Sequence, residues 1–240
     1  MAKPHIPQRD LEEAIAAGGC PICRLAERSV SRYLVSLLRE RVLDVRERER
    51  VRNARGLCNL HAWQLQEGGG ALGISIIYRD VLNTLVQALE EGIEVRGGLL
   101  ARALGGEGSP QRAAATLAGR LAASAPCPAC RERSEVERLA VGGLLEYLPG
   151  GEFAACYRAG DGLCLGHFLA TLERVRDADV LTQLVAVQLR VTAGLRAELD
   201  EFIRKNDYRF SGEKIGSEGD AWMRAIAHAA GERRGERPGS

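Results

Sequence analysis

A short pattern of cysteine and histidine occurs twice in this chain and constrains its fold more than any other feature. The first copy is Cys20-Pro21-Ile22-Cys23, followed by Gly56-Leu57-Cys58-Asn59-Leu60-His61. The second is Cys127-Pro128-Ala129-Cys130, followed by Gly162-Leu163-Cys164-Leu165-Gly166-His167. Each copy supplies three thiols and one imidazole, a complete tetrahedral ligand set for Zn²⁺.

The spacing has a physical reason. In C-x-x-C two sulfurs lie on one side of a tight turn and grip one ion. Proline after the first cysteine fixes φ near −65° and suits the first turn of a helix, where its missing N–H is no loss. In C-x-x-H the ligands stand three residues apart, so on a helix they share a face. Gly56 and Gly162 let the chain turn into that helix. The gap from Cys23 to Cys58, and from Cys130 to Cys164, is longer than the roughly 12–20 residues of ordinary zinc-finger spacings. Duplication restores the signal, and only Cys156 falls outside the pattern. The competing readings are core thiols and redox dithiols. Pairing within each copy is the simplest assignment, although pairing across the copies would use the same eight residues.

The 240 residues suffice for one large domain or two of ordinary size. Hydrophobic residues make up 45% and aromatics only 5%, so the core must be built from Leu, Val, Ile and Ala. The formal net charge is +1. Two Zn²⁺ ions with three thiolates each would take it to −1, and neither value suits non-specific nucleic-acid binding. Met1 to Asp10 is polar, without the apolar region of a signal peptide. No apolar run reaches the roughly 18 residues of a membrane span. A cysteine-bearing chain of this kind is expected in a reducing cytoplasm, its thiols bound to metal or reactive rather than in disulfides.

Apolar periodicity predicts helices and no strands. They are expected at Leu11–Ala17, Pro21 to about Val42, Asp44–Arg55, Cys58–Glu67 and Leu72–Glu91. A weaker one is expected at Gln111–Ala123, then others at Pro128–Leu148, Glu152–Arg158, Cys164–Arg174, Ala178–Ile203 and Glu218–Ala230. Trp63 is expected to pack beside the first site, and the long Ala178–Ile203 helix, apolar on most sides, to be central. Cys156 reads as a small buried hydrophobe, and His228 has no assigned role. The expected architecture is all-α, with two pseudo-symmetric helical repeats, each clamped by a Cys3His metal site. The repeats are drawn at 1–96 and 126–206, joined by a Gly- and Ala-rich connection at 97–125. A C-terminal arm and helix at 207–232 and a disordered tail at 233–240 follow.

The two CPxC…GxCxxH sets, Ile76-Ile77-Tyr78-Arg79-Asp80-Val81-Leu82, the stretch Leu199-Asp200-Glu201-Phe202-Ile203-Arg204-Lys205-Asn206-Asp207-Tyr208-Arg209-Phe210 and the downstream Trp222 carry a resemblance over most of the chain. The chain resembles an uncharacterised bacterial family defined as a domain of unknown function. The resemblance carries over no activity. It implies only that Tyr78, Arg79, Asp80, Arg204, Lys205, Asp207, Tyr208 and Arg209 belong to the family pattern.

Four functional readings follow. The first is a binding or scaffold protein with two structural Zn(Cys3His) sites. The second is an iron–sulfur redox protein, because CPxC knuckles also hold iron. The third is thiol redox chemistry at the C-P-x-C pairs. The fourth is an enzyme or ligand-binding protein whose inter-repeat pocket is lined by the eight family-pattern residues and takes a small anionic ligand through Arg and Lys. Partners under the first reading would be other proteins. For Arg204–Arg209 the plainer expectation is an arm pinned by ion pairs.

Overall fold

The structure, a computed structural model, describes residues 5–95, 110–210 and 212–234. Among these it is all-helical, with no strand. The helices are α1 (Gln8–Ala16), α2 (Pro21–Arg39), α3 (Val45–Asn53), α4 (Asn59–Glu67), α5 (Ala71–Val95), α6 (Pro110–Leu121), α7 (Pro128–Tyr147), α8 (Gly151–Ala159), α9 (Leu165–Leu172), α10 (Ala178–Lys205) and α11 (Ala221–Ala230). Single 3₁₀ turns fall at Tyr208–Phe210 and Ser217–Asp220. None of these helices is long and apolar enough to cross a membrane. Residues 97–109 of the 97–125 connection, and the tail beyond residue 234, lie outside the described residues.

The described residues form two compact units that do not follow the sequential motif copies. One takes those of Met1–Ser29 and Arg133–Ser240, the other those of Val30–Glu132. The boundary falls inside α2 and inside α7, so each of these helices gives its residues to both units. Each unit has its own core. The first is built around Leu11, Ile22, Leu25, Leu144, Leu148, Phe153, Tyr157 and Leu184. The second is built around Val30, Leu34, Leu37, Val51, Leu65, Ile77 and Val81. Burying one Leu, Ile or Val side chain contributes about 1.5–3 kcal/mol.

Polar ties set the helices within each unit. In the first, Arg133 on α7 is 7% exposed and reaches Glu27 on α2 at 3.0 Å and Glu137 at 3.1 Å. In the second, Arg48 and Arg52 on α3 hold Asp80 on α5 at 3.1 and 2.6 Å. Asp44 caps α3, accepting from the backbone N–H groups of Arg46 and Glu47.

Two expectations fail here. Helix α10 is not central: it buries a single stripe, Val180, Leu184 and Val187, while Leu181, Val185 and Leu189 stay exposed. An apolar surface around a helix does not supply partners on every side. Trp63 does not pack beside the site and is 62% exposed. It lies two residues from both His61 and Leu65, which are buried, and so falls on the opposite face of α4.

Candidate metal centres

Four helices begin immediately after a cysteine: α2 after Cys20, α4 after Cys58, α7 after Cys127 and α9 after Cys164. In each, the cysteine carbonyl accepts the first helical N–H, from Arg24, Ala62, Arg131 and Phe168 respectively. The second ligand of each motif, Cys23, His61, Cys130 or His167, stands three residues into the helix. Side chains at the N-cap and third positions converge, as in a capping box. Cys58 and Cys164 make no side-chain cap bond, which leaves their sulfurs free to ligate. A helix N-terminus favours negative charge and so stabilises a thiolate.

The glycines perform the turn expected of them. Gly56 has φ +100° and Gly162 φ +70°, conformations that side chains with a Cβ rarely adopt.

The half-sites pair across the motif copies, which corrects the within-copy assignment. Cys20 and Cys23 meet Cys164 and His167; Cys58 and His61 meet Cys127 and Cys130. All four donor atoms of each set lie within 4.8 Å of one another, so either set could hold a metal ion. Each set falls wholly inside one compact unit. The second set is nested in sequence between the halves of the first.

In the first set His167 Nδ1 lies 3.4 Å from the Cys20 sulfur, 3.3 Å from Cys23 and 3.2 Å from Cys164. The Cys23 and Cys164 sulfurs are 3.7 Å apart. In the second set His61 Nδ1 lies 3.2 Å from Cys58, 3.7 Å from Cys127 and 3.4 Å from Cys130, with Cys58 and Cys130 sulfurs 3.6 Å apart. These sulfur separations are far beyond the roughly 2.05 Å of a disulfide, and all seven cysteines are free.

The approach loops of each set are tied to each other. In the first, Asp161, just before Gly162, accepts the Gly19 N–H at 2.8 Å. Gln188 on α10 clamps Leu163 from both sides, accepting its N–H at 3.2 Å and donating to its carbonyl at 2.8 Å. Gln188 also donates to His228, 3.1 Å away. In the second, the Asn53 carbonyl accepts from the N–H groups of Ser124 and Ala125, and Arg55 donates to the carbonyls of Arg120 and Leu121.

The electrostatics of the first set reflect the crowding of acidic thiols. Contacts with Cys164 and Cys23, then burial, push the Cys20 thiol up. The same contacts with Cys20 and Cys23 pull Cys164 down. Burial works against a charged His167, but Cys164, Cys23 and Glu137 outweigh it and raise the imidazole to about 11. Glu137 Oε1 stands 3.5 Å behind His167 Nε2, placed as the carboxylate that commonly orients a metal-ligating histidine. In the second set Cys130 is pushed up to about 12, by burial first and then by Cys58 and Cys127. A bound cation favours the thiolate and neutral-imidazole forms in both sets, and its binding releases protons.

Beside the first set lies a cavity of about 230 Å³, with Cys20, Cys164, Arg190, Arg224 and His228 among its lining. Its charges are engaged: Arg224 pairs with Glu198 and Asp220, and Arg190 donates to the carbonyls of Arg158 and Gly160.

The family-pattern residues fall in different units. On α5, Asp80 pairs with Arg48 and Arg52, the Tyr78 ring lies against Gly56, and Arg79 is exposed. In the other unit Arg204 bridges Glu201 and Glu213 and covers the Phe210 ring, Lys205 reaches Glu218 at 2.7 Å, and Asp207 pairs with Arg209. The Gly216 N–H, then the Lys205 ammonium, hold Glu218 down at about 2. Tyr208 is exposed. Cys156 is partly buried against the first unit's core and belongs to neither set. The motifs gave no sign of Glu137, Asp161 or Gln188, which stand outside them and meet the site only in the fold.

No curated protein and no solved structure matches this chain. A family model does match it, over residues 3–236, and that is nearly its whole length. The chain with these two Cys3His sets therefore belongs to the family of unknown function DUF6062.

Proposed function

We propose that the chain holds two structural zinc ions, one in each Cys3His set, and serves as a binding or scaffold protein whose metals clamp its helices. The observation that carries this is the donor geometry. A tetrahedral site with Zn–S of about 2.3 Å and Zn–N of about 2.0–2.1 Å has S···S edges of about 3.8 Å and S···N edges of about 3.5 Å. The S···N edges of 3.2–3.7 Å and the Cys23–Cys164 and Cys58–Cys130 edges of 3.7 and 3.6 Å lie close to those values, and every other donor pair within a set is under 4.8 Å. Donors so close converge on one ion. A polynuclear iron–sulfur cluster would spread its thiolates further apart.

Four protein donors complete a tetrahedron and leave no position for water or substrate, the arrangement of structural rather than catalytic zinc. Closure supplies the stability. The first set joins residues as far as 147 apart and the second residues as far as 72 apart. By the loop-closure arithmetic for cross-links, each tie is worth about 4–5 kcal/mol.

The test is elemental analysis of protein purified without oxygen, with an absorption spectrum of the same sample. Two zinc per chain and no visible absorption are expected. Iron with sulfide and absorption near 400 nm would replace this reading with the redox one.

A further inference from the structure

The first set has an attachment that neither motif contains. After α11 the chain turns at Gly231, with φ +91°, and passes back over the donors. A Cβ at Gly231 would stand 3.7 Å from the Cys23 sulfur and 3.8 Å from the Cys164 sulfur. The left-handed backbone and this close approach together call for glycine. Glu232 then accepts the Cys20 N–H at 3.3 Å, and its carboxylate occupies the space that a Cβ on Gly19 would need. Two consecutive residues thus reach all three cysteines: the Cys23 and Cys164 sulfurs beside Gly231, and Cys20 through its backbone N–H to Glu232.

We propose that Gly231–Arg234 is a strap closing over the Cys20, Cys23, Cys164 and His167 set, and that it governs how fast the metal ion there exchanges. The proposal rests on the zinc reading above. A chelator removes zinc by displacing ligands one at a time, so it must first touch a sulfur or the metal. Cys20, Cys23 and Cys164 are only 4–5% exposed. The strap follows the last helix of the described chain, with Gly231 and Glu232 half-buried and Arg233 and Arg234 exposed. It can lift without unfolding a helix, and lifting it uncovers the two sulfurs beside Gly231. The set formed by Cys58, His61, Cys127 and Cys130 lies in the other unit and has no part in this strap.

The test compares zinc transfer to an excess of a chromophoric chelator from four proteins: the full chain, a chain ending at Arg234, a chain ending at Gly231, and Glu232→Gln. Each is also made with Cys130→Ser, which leaves one complete set and so assigns the kinetic phases. Ending at Gly231 keeps the N–H that caps α11 on the Ala227 carbonyl. Circular dichroism and the release rate of the other zinc report whether the fold is kept. Release from the strapped set should quicken at least tenfold in the chain ending at Gly231 and a few-fold in Glu232→Gln. The chain ending at Arg234 should match the full chain, and the other zinc should be unaffected. Unchanged release in both altered chains overturns the strap while leaving two structural zinc ions in place. So does equal acceleration of both ions with loss of helical signal. A full chain without bound zinc overturns the zinc reading and the strap with it.

Discussion

The two ligand sets use the same residue types on the same helix positions, yet their surroundings invert. In the first, the three thiols are 4–5% exposed and the imidazole edge faces the Glu137 carboxylate. In the second, His61 is 2% exposed and Cys58, Cys127 and Cys130 are only half-buried. The motif therefore determines what can be ligated but not how well the ligands are shielded. Shielding comes from what each unit packs against the set: α10 through Gln188 and the segment after α11 for the first, the Asn53 carbonyl and Arg55 for the second.

The largest effect that can test this contrast is thermal. Removing a ligand should open one closure, about 4–5 kcal/mol, and lower Tm by about 10–20 °C in a chain of this size. Cys23→Ser should cost more than Cys130→Ser, because Cys23 ties the longer loop and sits in the drier site. Calorimetry of the zinc-loaded variants decides it, and an equal or reversed order would dissolve the distinction.

A smaller effect is chemical access. With zinc bound, iodoacetamide should modify Cys156 first, since no set holds it. Cys58, Cys127 and Cys130 should follow, with Cys20, Cys23 and Cys164 at least tenfold slower. Peptide mass mapping over a time course reads the order directly. Early labelling of Cys20 or Cys164 would show that burial does not set reactivity here.

The smallest concerns a tie confined to the unit of the second set. Burial raises the Asp80 carboxyl, but Arg52 and Arg48 outweigh it and hold it below its ordinary value. A depressed folded-state value gives stability that is present above the unfolded value, about 3.9, and is lost as pH falls through the folded one. Asp80→Asn should therefore cost about 1–2 kcal/mol at neutral pH, with the gap from the parent narrowing as pH drops below about 4. Zinc release should quicken at the second set only. A penalty that persists unchanged into acid would show that packing, and not charge, is what Asp80 supplies.

Much of the site was legible before any coordinates, for local reasons. Proline after the first cysteine and glycine before the third mark helix starts, and ligands at the N-cap and third positions face one way in any helix. The eight residues that the structure gathers into two sets able to hold a metal ion were all named on that basis. Trp63 and α10 were misread because helical periodicity records which residues are apolar without recording which stripe meets a neighbour.

What the sequence determined by itself is the list of helices and the four half-sites, because both depend on contacts within a few residues. Which half-sites meet was decided by tertiary structure. Joining Cys23 to Cys164 instead of Cys58 lengthens the closed loop about fourfold, and that costs only about 1 kcal/mol of extra closure entropy. The burial of a single leucine outweighs that difference. Core packing within each compact unit, far apart in sequence and invisible to any motif, therefore selected the crossed pairing.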